Sequence, residues 1–307
     1  MKRGLSLRIG TRGSKLALAQ AAIVVDLISR SRPGTLLEVV PIRTAGDAGG
    51  RVVKETDRKL AFTSEIDRQL LEGKVDIAVH SLKDIPSAMD GRLTIAATPP
   101  RGDARDVLVT LSGRRLSELH ESSVVGTSSI RRKVQLLDLR PGLKVVDVAG
   151  NVETRIGRMK ERGLEGVVLA AAGLQRLGLA SEASQYFSVE EMVPAPCQGV
   201  IAVEARQDDH QVMEAVGKID DPVTHLESAC ERAFLGRLGG DCNFPAGAYA
   251  RIGGTELTVV GMVADPEGLS LTRSSLVGPS QEPERLGARL AERLLESGGT
   301  APKERAP

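Results

Sequence analysis

Twice along this chain a short apolar run ends in a glycine, hydroxyl residues and basic residues, and a helical pattern follows at once. Residues 5–10 read as a buried strand feeding Gly10-Thr-Arg-Gly-Ser-Lys15, after which Leu18, Ala21, Ala22, Val25 and Ile28 recur at helical spacing. A second run near 123–126 feeds Gly126-Thr-Ser-Ser-Ile-Arg-Arg132, with a helix starting from Ser129. Strand–turn–helix units in series predict an α/β fold with mainly parallel sheets, whose ligands gather at the carboxyl ends of the strands.

The same reading places further strands at 37–41, 75–79, 107–110, 144–148, 166–170 and 200–203, with helices at 64–72 and from Asn151. Residues 44–63 lack clear periodicity and are predicted to form a mobile loop or lid. With 307 residues the chain exceeds what one hydrophobic core usually serves. Thr98-Pro-Pro-Arg-Gly-Asp103 and Val193-Pro-Ala-Pro-Cys-Gln-Gly199 are Pro/Gly-marked breaks. They predict one lobe from 1–100 and 199–220, a second from 101–198, and a cleft between them. From 221 to 307 a helix, an alternating stretch at 256–278 and a last helix near 282–297 predict a smaller α+β C-terminal domain, and the final residues a frayed tail.

Composition narrows the class of partner. The 41 basic and 40 acidic residues nearly cancel, yet residues 101–176 carry eleven Arg and three Lys against nine acids. That segment favours anions. Two Tyr, four Phe and no Trp leave no stacking platform for single-stranded bases, so a small or oligomeric polyacid is expected rather than nucleic acid. No apolar run is long enough to span a bilayer, and the first residues lack the apolar core of a secretory signal, so no membrane partner and a cytoplasmic location are expected. Cys197, Cys230 and Cys242 are odd in number and contain no Cys-x-x-Cys pair, which argues against a disulfide framework or a zinc site. No metal is expected, and with no long apolar edge a monomer is.

Individual residues sharpen the picture. Ser14, Ser129 and Asn151 stand where helix N-caps belong, and free N–H groups with the helix dipole attract anions there. Arg12, Arg131, Arg132, Arg155, Arg158 and Arg176 fall at or just after strand-to-helix turns, and guanidinium pairs bidentately with carboxylates. Solvated helix faces are the alternative for any single one. Asp84 closes His80-Ser-Leu-Lys-Asp84 beyond a buried strand. An ionised carboxylate there could stabilise a developing cation or hold N–H donors; the plainer alternative is a cap or a loop salt bridge. His80 could serve as a general base, but one residue past a strand it reads as a hydrogen-bonded structural histidine, and Cys230 reads as a small buried hydrophobe. Cys242, on the glycine-flanked turn Leu238-Gly-Gly-Asp-Cys-Asn-Phe-Pro245, is accessible enough for a nucleophile or a covalent tether.

Taken in order, these segments resemble the porphobilinogen deaminase, or hydroxymethylbilane synthase, family. The resemblance rests on Thr11-Arg-x-Ser-x-Leu-Ala-Leu18, Asp76-Ile-Ala-Val-His-Ser-Leu-Lys-Asp84, Gly126-Thr-Ser-Ser-Ile-Arg-Arg132, Gly150-Asn-Val-x-Thr-Arg155, Ala172-Gly-Leu-x-Arg-Leu-Gly178, Glu231-Arg232 and Gly-x-Cys242. It implies two lobes like those of periplasmic binding proteins plus a third domain bearing the cysteine. It further implies a transferase that joins porphobilinogen units head to tail, with loss of ammonia, on a dipyrromethane primer attached to Cys242 as a thioether. Water finally releases hydroxymethylbilane.

By the same resemblance Asp84 is the catalytic residue, accepting pyrrole N–H bonds and stabilising a transient cation. Ser14, Lys83, Thr127, Ser128, Ser129, Arg131, Arg132 and Arg155 hold the primer. Arg12, Lys59, Phe62, Arg176, Gln198 and Gly199 meet the substrate. The chain departs from the family pattern at Ala149, where an arginine is usual; at Leu60, where a glycine follows the lysine; and at Asp241, Phe244 and Ala246 around the cysteine. Asp241 adds a negative charge beside an anionic group. Two other readings fit the residues alone: a non-catalytic two-lobed anion-binding protein, and a cysteine hydrolase or transferase without a primer.

Overall fold

The computed structural model describes residues 5–44, 55–239, 245–265 and 270–297, with backbone alone for 55–62. In chain order the first elements are β1 (Ser6–Arg12), α1 (Lys15–Ser31), β2 (Leu36–Ile42), α2 (Glu55–Leu71), β3 (Ile77–Ser81) and β4 (Leu93–Ala97). Then follow β5 (Asp106–Thr110), β6 (Val124–Gly126), α3 (Ile130–Leu139), β7 (Lys144–Val146), α4 (Val152–Glu161), β8 (Gly166–Ala170), α5 (Ala171–Arg176) and β9 (Gln185–Tyr186). The last are β10 (Ile201–Arg206), α6 (His210–Gly217), α7 (Pro222–Arg237), β11 (Ala246–Gly253), β12 (Glu256–Ala264), β13 (Leu271–Pro279) and α8 (Pro283–Glu296). None of the described helices is long and apolar enough to cross a membrane.

The chain forms two compact units, one from 1–102 and 200–226 and the other from 103–199 and 227–307. The fold class is α/β, as expected. In the first unit the five-stranded sheet runs β2-β1-β3-β10-β4. β1 is parallel to β2 and β3, whereas β10 is antiparallel to both β3 and β4. Its core joins Leu7 and Ile9 of β1, Val24 and Ile28 of α1, Ile77 and Val79 of β3, and Ile201 and Val203 of β10. In the second unit the order is β7-β6-β8-β5-β9, with β6 parallel to β7 and β8, and β5 antiparallel to β8 and β9. The two sheets share one plan. Each receives, antiparallel and next to its edge strand, the first strand that follows a Pro/Gly-marked break.

The second unit also contains an antiparallel sheet, β11-β12-β13, whose inner face packs on α7 and α8 through Ala248, Ala250, Leu257, Val259, Phe234, Leu290 and Leu294. Gly287 of α8 lies against the backbone of Cys230 on α7, and a Cβ there would strike the Cys230 carbonyl and crowd the Phe234 nitrogen. Backbone cannot swing aside as a side chain can. Gly287→Ala is expected to lower stability by about 1–3 kcal/mol despite alanine's better helix propensity, read as a lower denaturation midpoint in urea.

Boundaries differ from expectation in instructive places. The stretch predicted as a loop over 44–63 is helical from Glu55 onward, so α2 begins nine residues before the predicted start; residues 45–54 lie outside the described ones. β4, α6 and β11 were not anticipated. Cys197 and Cys230 are both buried, as expected for Cys230, whereas Cys242 lies outside the described residues.

Candidate active site

In the first unit the site is built where β1 and β3 end. Their parallel register pairs Ile9 with Ile77 and Gly10 with Ala78, and carried forward it brings Arg12 level with His80. Thr11 Oγ1 donates to the Val79 carbonyl at 3.2 Å and fixes the two strand ends together. Ser14 caps α1 as expected, its Oγ accepting from the Ala17 N–H. Because that oxygen serves as acceptor, its own O–H remains to be given to an anion.

Beyond β3 the chain makes a single 3₁₀ turn, Leu82–Asp84, anchored by the Leu82 N–H donating to the Val200 carbonyl at 3.0 Å. Leu82 is buried, while Lys83 and Asp84 are half-buried. Asp84 thus ends a short, anchored turn, itself half-buried.

His80 is buried, and burial pushes its imidazole down to about 4. Asp84 pulls that value up and Arg12 pushes it further down, so these three residues act on one another electrostatically. At neutral pH the ring is therefore uncharged. On the same sheet face Glu204 of β10 is its diagonal neighbour, since Ala202 pairs with His80 and Glu204 with Ala78. His80 Nε2 lies 3.6 Å from Glu204 Oε2. Asp67 of α2 completes the group; burial pushes its carboxyl up to about 6, with bonds to Thr63 and Glu204 acting in the opposite direction.

In the second unit the corresponding turn follows β6. Gly126 is required there, because a Cβ would approach Val148 Cγ2 to 2.5 Å. Thr127 Oγ1 accepts from the Ser129 N–H, and Ser129 Oγ caps α3 by accepting from the Arg132 N–H. Ser128 Oγ is buried without a hydrogen-bond partner. Asn151 holds the N-cap position of α4 without any side-chain capping bond. Arg155 Nε donates to the Gly150 carbonyl at 2.6 Å and Arg158 Nη1 to the Ala149 carbonyl at 2.8 Å, so the departure at Ala149 leaves the local backbone braced.

Arg131 and Arg132, expected to pair with anionic groups at the strand-to-helix turn, are 6 % and 5 % exposed. Arg131 Nη1 donates to Asp106 Oδ2 at 2.7 Å, and Arg132 Nε and Nη2 donate to Asp106 Oδ1 at 3.0 and 2.7 Å. Gln198, expected at the substrate, is fully buried and gives its amide to the same Oδ1 at 2.9 Å and to the Ala104 carbonyl at 2.8 Å. Burial alone would raise the Asp106 pKa, yet the two arginines hold it well below the usual carboxylate range. Two guanidinium groups share one carboxylate, which leaves a surplus positive charge fixed in the fold.

Arg176 Nη2 donates to the Gly199 carbonyl at 2.6 Å, and burial pushes the guanidinium down to about 10. Cys197, just before Gln198, has φ 62, a left-handed conformation unusual for a residue with a side chain. Glu231 supports it by accepting the Cys197 N–H, and also accepts the Ala250 N–H at 2.8 Å. Lys59 and Phe62 lie on the backbone of α2, and their side chains fall outside the described residues.

The sequence alone singles out neither Asp106, Asp67 nor Glu204, and it marks Glu231 only as part of the Glu231-Arg232 motif. Asp106 and Glu204 did leave a trace, as acids standing in otherwise apolar strands. The second unit suits a group bearing carboxylates: it offers the surplus charge beside Asp106, the hydroxyls of Thr127 and Ser129, and the orphaned Ser128 Oγ at the N-terminus of α3.

The family model described as porphobilinogen deaminase, dipyromethane cofactor binding domain, matches residues 7–214, and that of the porphobilinogen deaminase C-terminal domain matches 225–296. A porphobilinogen deaminase of Syntrophotalea carbinolica is 43% identical over 294 residues, covering 95% of this chain and 93% of its own. One of a Roseiflexus species is 43% identical over 297 residues, covering 96% and 98%. That of Clostridioides difficile is 40% identical over 294 residues, covering 95% and 98%. Among solved structures, a BvgS VFT2 domain of Bordetella pertussis aligns with a TM-score of 0.42 at 16% identity over 75% of this chain and 91% of that one. An arginine-specific periplasmic binding protein of Salmonella typhimurium gives 0.40 at 14% identity over 72% and 94%. With two family models spanning nearly all of its length and relatives above 40% identity, the chain belongs to the porphobilinogen deaminase family.

Proposed function

We propose that this chain joins porphobilinogen units head to tail into hydroxymethylbilane, releasing ammonia, on a dipyrromethane primer tethered to Cys242. Family membership supports the reaction. The observation that carries the reading to particular residues is the surplus positive charge of Arg131 and Arg132 around Asp106, set beside three hydroxyls at one helix N-terminus. Every pyrrole unit bears two carboxylates, so the growing product needs such a counter-charge. When bound, the primer supplies the pyrrole carbon to which the first unit adds.

The residues divide the work. Thr127, Ser128, Ser129, Arg131 and Arg132 receive primer carboxylates, with Asp106 and Gln198 holding both guanidinium groups in place. Ser14, Lys83 and Arg155 add further donors. Arg12, Arg176 and the turn at Gly199 meet incoming substrate carboxylates, and Lys59 and Phe62 serve from α2. Asp84 accepts pyrrole N–H groups and faces the positive charge that develops as the carbon–nitrogen bond to ammonia breaks. Its place on a braced 3₁₀ turn fixes that negative charge in advance, which is how preorganised electrostatics lowers a barrier. The division into two lobes at 1–100 with 199–220 and at 101–198, followed by a cofactor-bearing domain from 221, is consistent with three separate sheets. We infer a cytoplasmic monomer acting on a small molecule without nucleic acid.

Intact mass spectrometry of protein purified from a host that makes porphobilinogen tests the tether. A mass above that of the bare polypeptide is expected, reduced to the bare value in Cys242→Ser. Wild-type protein at the bare mass would overturn the assignment.

A further inference from the structure

We propose that Asp67, His80 and Glu204 form a binding site for one divalent transition-metal ion of the Zn²⁺ or Mn²⁺ class. The three side chains come from α2, β3 and β10, and one ligand atom from each lies within 4.8 Å of the others. His80 and Glu204 have side chains only 4% and 3% exposed.

An acidic pair beside a histidine is not by itself a site. Here the imidazole is the second observation. His80 Nε2 is buried without a hydrogen-bond partner, and at 3.6 Å from Glu204 Oε2 it stands too far for one. Asp67 Oδ1 is likewise buried without a partner. Buried polar atoms are almost always satisfied, and two orphaned atoms on neighbouring members of one buried group call for a partner. Cysteine is absent from the group, and a nitrogen ligand among so few oxygens disfavours Mg²⁺ and Ca²⁺, which prefer oxygen shells.

Charge agrees with a doubly positive occupant. Two carboxylates neutralise a divalent ion, and a neutral imidazole adds a bond without adding charge. Metal–ligand lengths of about 2.0–2.2 Å require the three donor atoms to draw in by small rotamer adjustments. An ion so held would pin α2 to two central strands of the sheet, four residues before Asp84. It would act as a structural staple, with no part in the chemistry proposed above.

The test uses the full protein with its attached group, dialysed against EDTA and titrated separately with ZnCl₂ and MnCl₂ by calorimetry, with metal content measured after gel filtration. One ion per chain is expected, together with a raised melting temperature. His80→Gln and Glu204→Gln are each expected to weaken binding at least about tenfold, while His225→Gln, at an exposed position, leaves it unchanged. Anomalous diffraction from Zn²⁺-soaked wild-type crystals removes any dependence on variant folding: the peak is expected among the three side chains. A peak elsewhere, less than a tenth of an equivalent bound, or full affinity in both glutamine variants would overturn the proposal. The readout is metal stoichiometry and position, so it stands or falls independently of turnover.

Discussion

Asp106→Ala is expected to cost about 3–5 kcal/mol of folding stability. The carboxylate is completely buried, and its removal leaves the Arg131 and Arg132 guanidinium groups facing each other with no counter-charge. The Gln198 amide loses an acceptor in the same step. Urea denaturation at neutral pH measures the effect, and a midpoint equal to that of the wild type would refute the account. The pH dependence has a definite sign. The folded pKa of Asp106 is depressed, so its contribution is fully present above the ordinary carboxylate value of about 4 and fades as pH falls through the lower folded value. Asp106→Asn removes this titration, and its stability is expected to fall less steeply below about pH 4 than that of the wild type.

Asp84→Asn is the second large effect. It keeps size and shape but removes the negative charge, so the rate of hydroxymethylbilane formation is expected to drop roughly 10²–10³-fold, the usual loss for one preorganised electrostatic group. The residue is half-buried on its turn and has little packing to lose, so the melting temperature and the mass increment on the protein should stay as in the wild type. A variant with normal turnover would remove Asp84 from the reaction. One with reduced turnover and no increment would point instead to a role in primer assembly.

The strands that end in functional turns were legible because each closes on glycine or a hydroxyl where a helix must be capped. Ser14 and Ser129 cap as their chemistry dictates. Helix α2 was missed over its first turns because Glu-Thr-Asp-Arg-Lys is polar all round, leaving no apolar stripe to read. β11 was hidden for the opposite reason: Ala-Gly-Ala-Tyr-Ala is poor in strand-forming residues, and its conformation comes from pairing with β12. Gly247 there passes so close to the Val193 and Pro194 carbonyls that no Cβ would fit. Asp106 and Glu204 were legible as oddities, acids in apolar strands, but their partners stand 25 residues and more away. No spacing rule connects such distant positions. A buried charge announces that it has partners without naming them.

The position of β10 between β3 and β4 sets the order in which the protein can be assembled during synthesis. Among the described strands β4 pairs with β10 alone, and β10 is made after the whole of 103–199. A nascent chain ending before residue 201 therefore carries β3 with an open edge and β4 without a neighbour, while the strands β5 to β9 of the other large sheet have all been made. The amino-terminal part of the chain, first to leave the ribosome, is then the later of the two to complete its sheet. Until β10 is made, that edge is open to pairing with another chain.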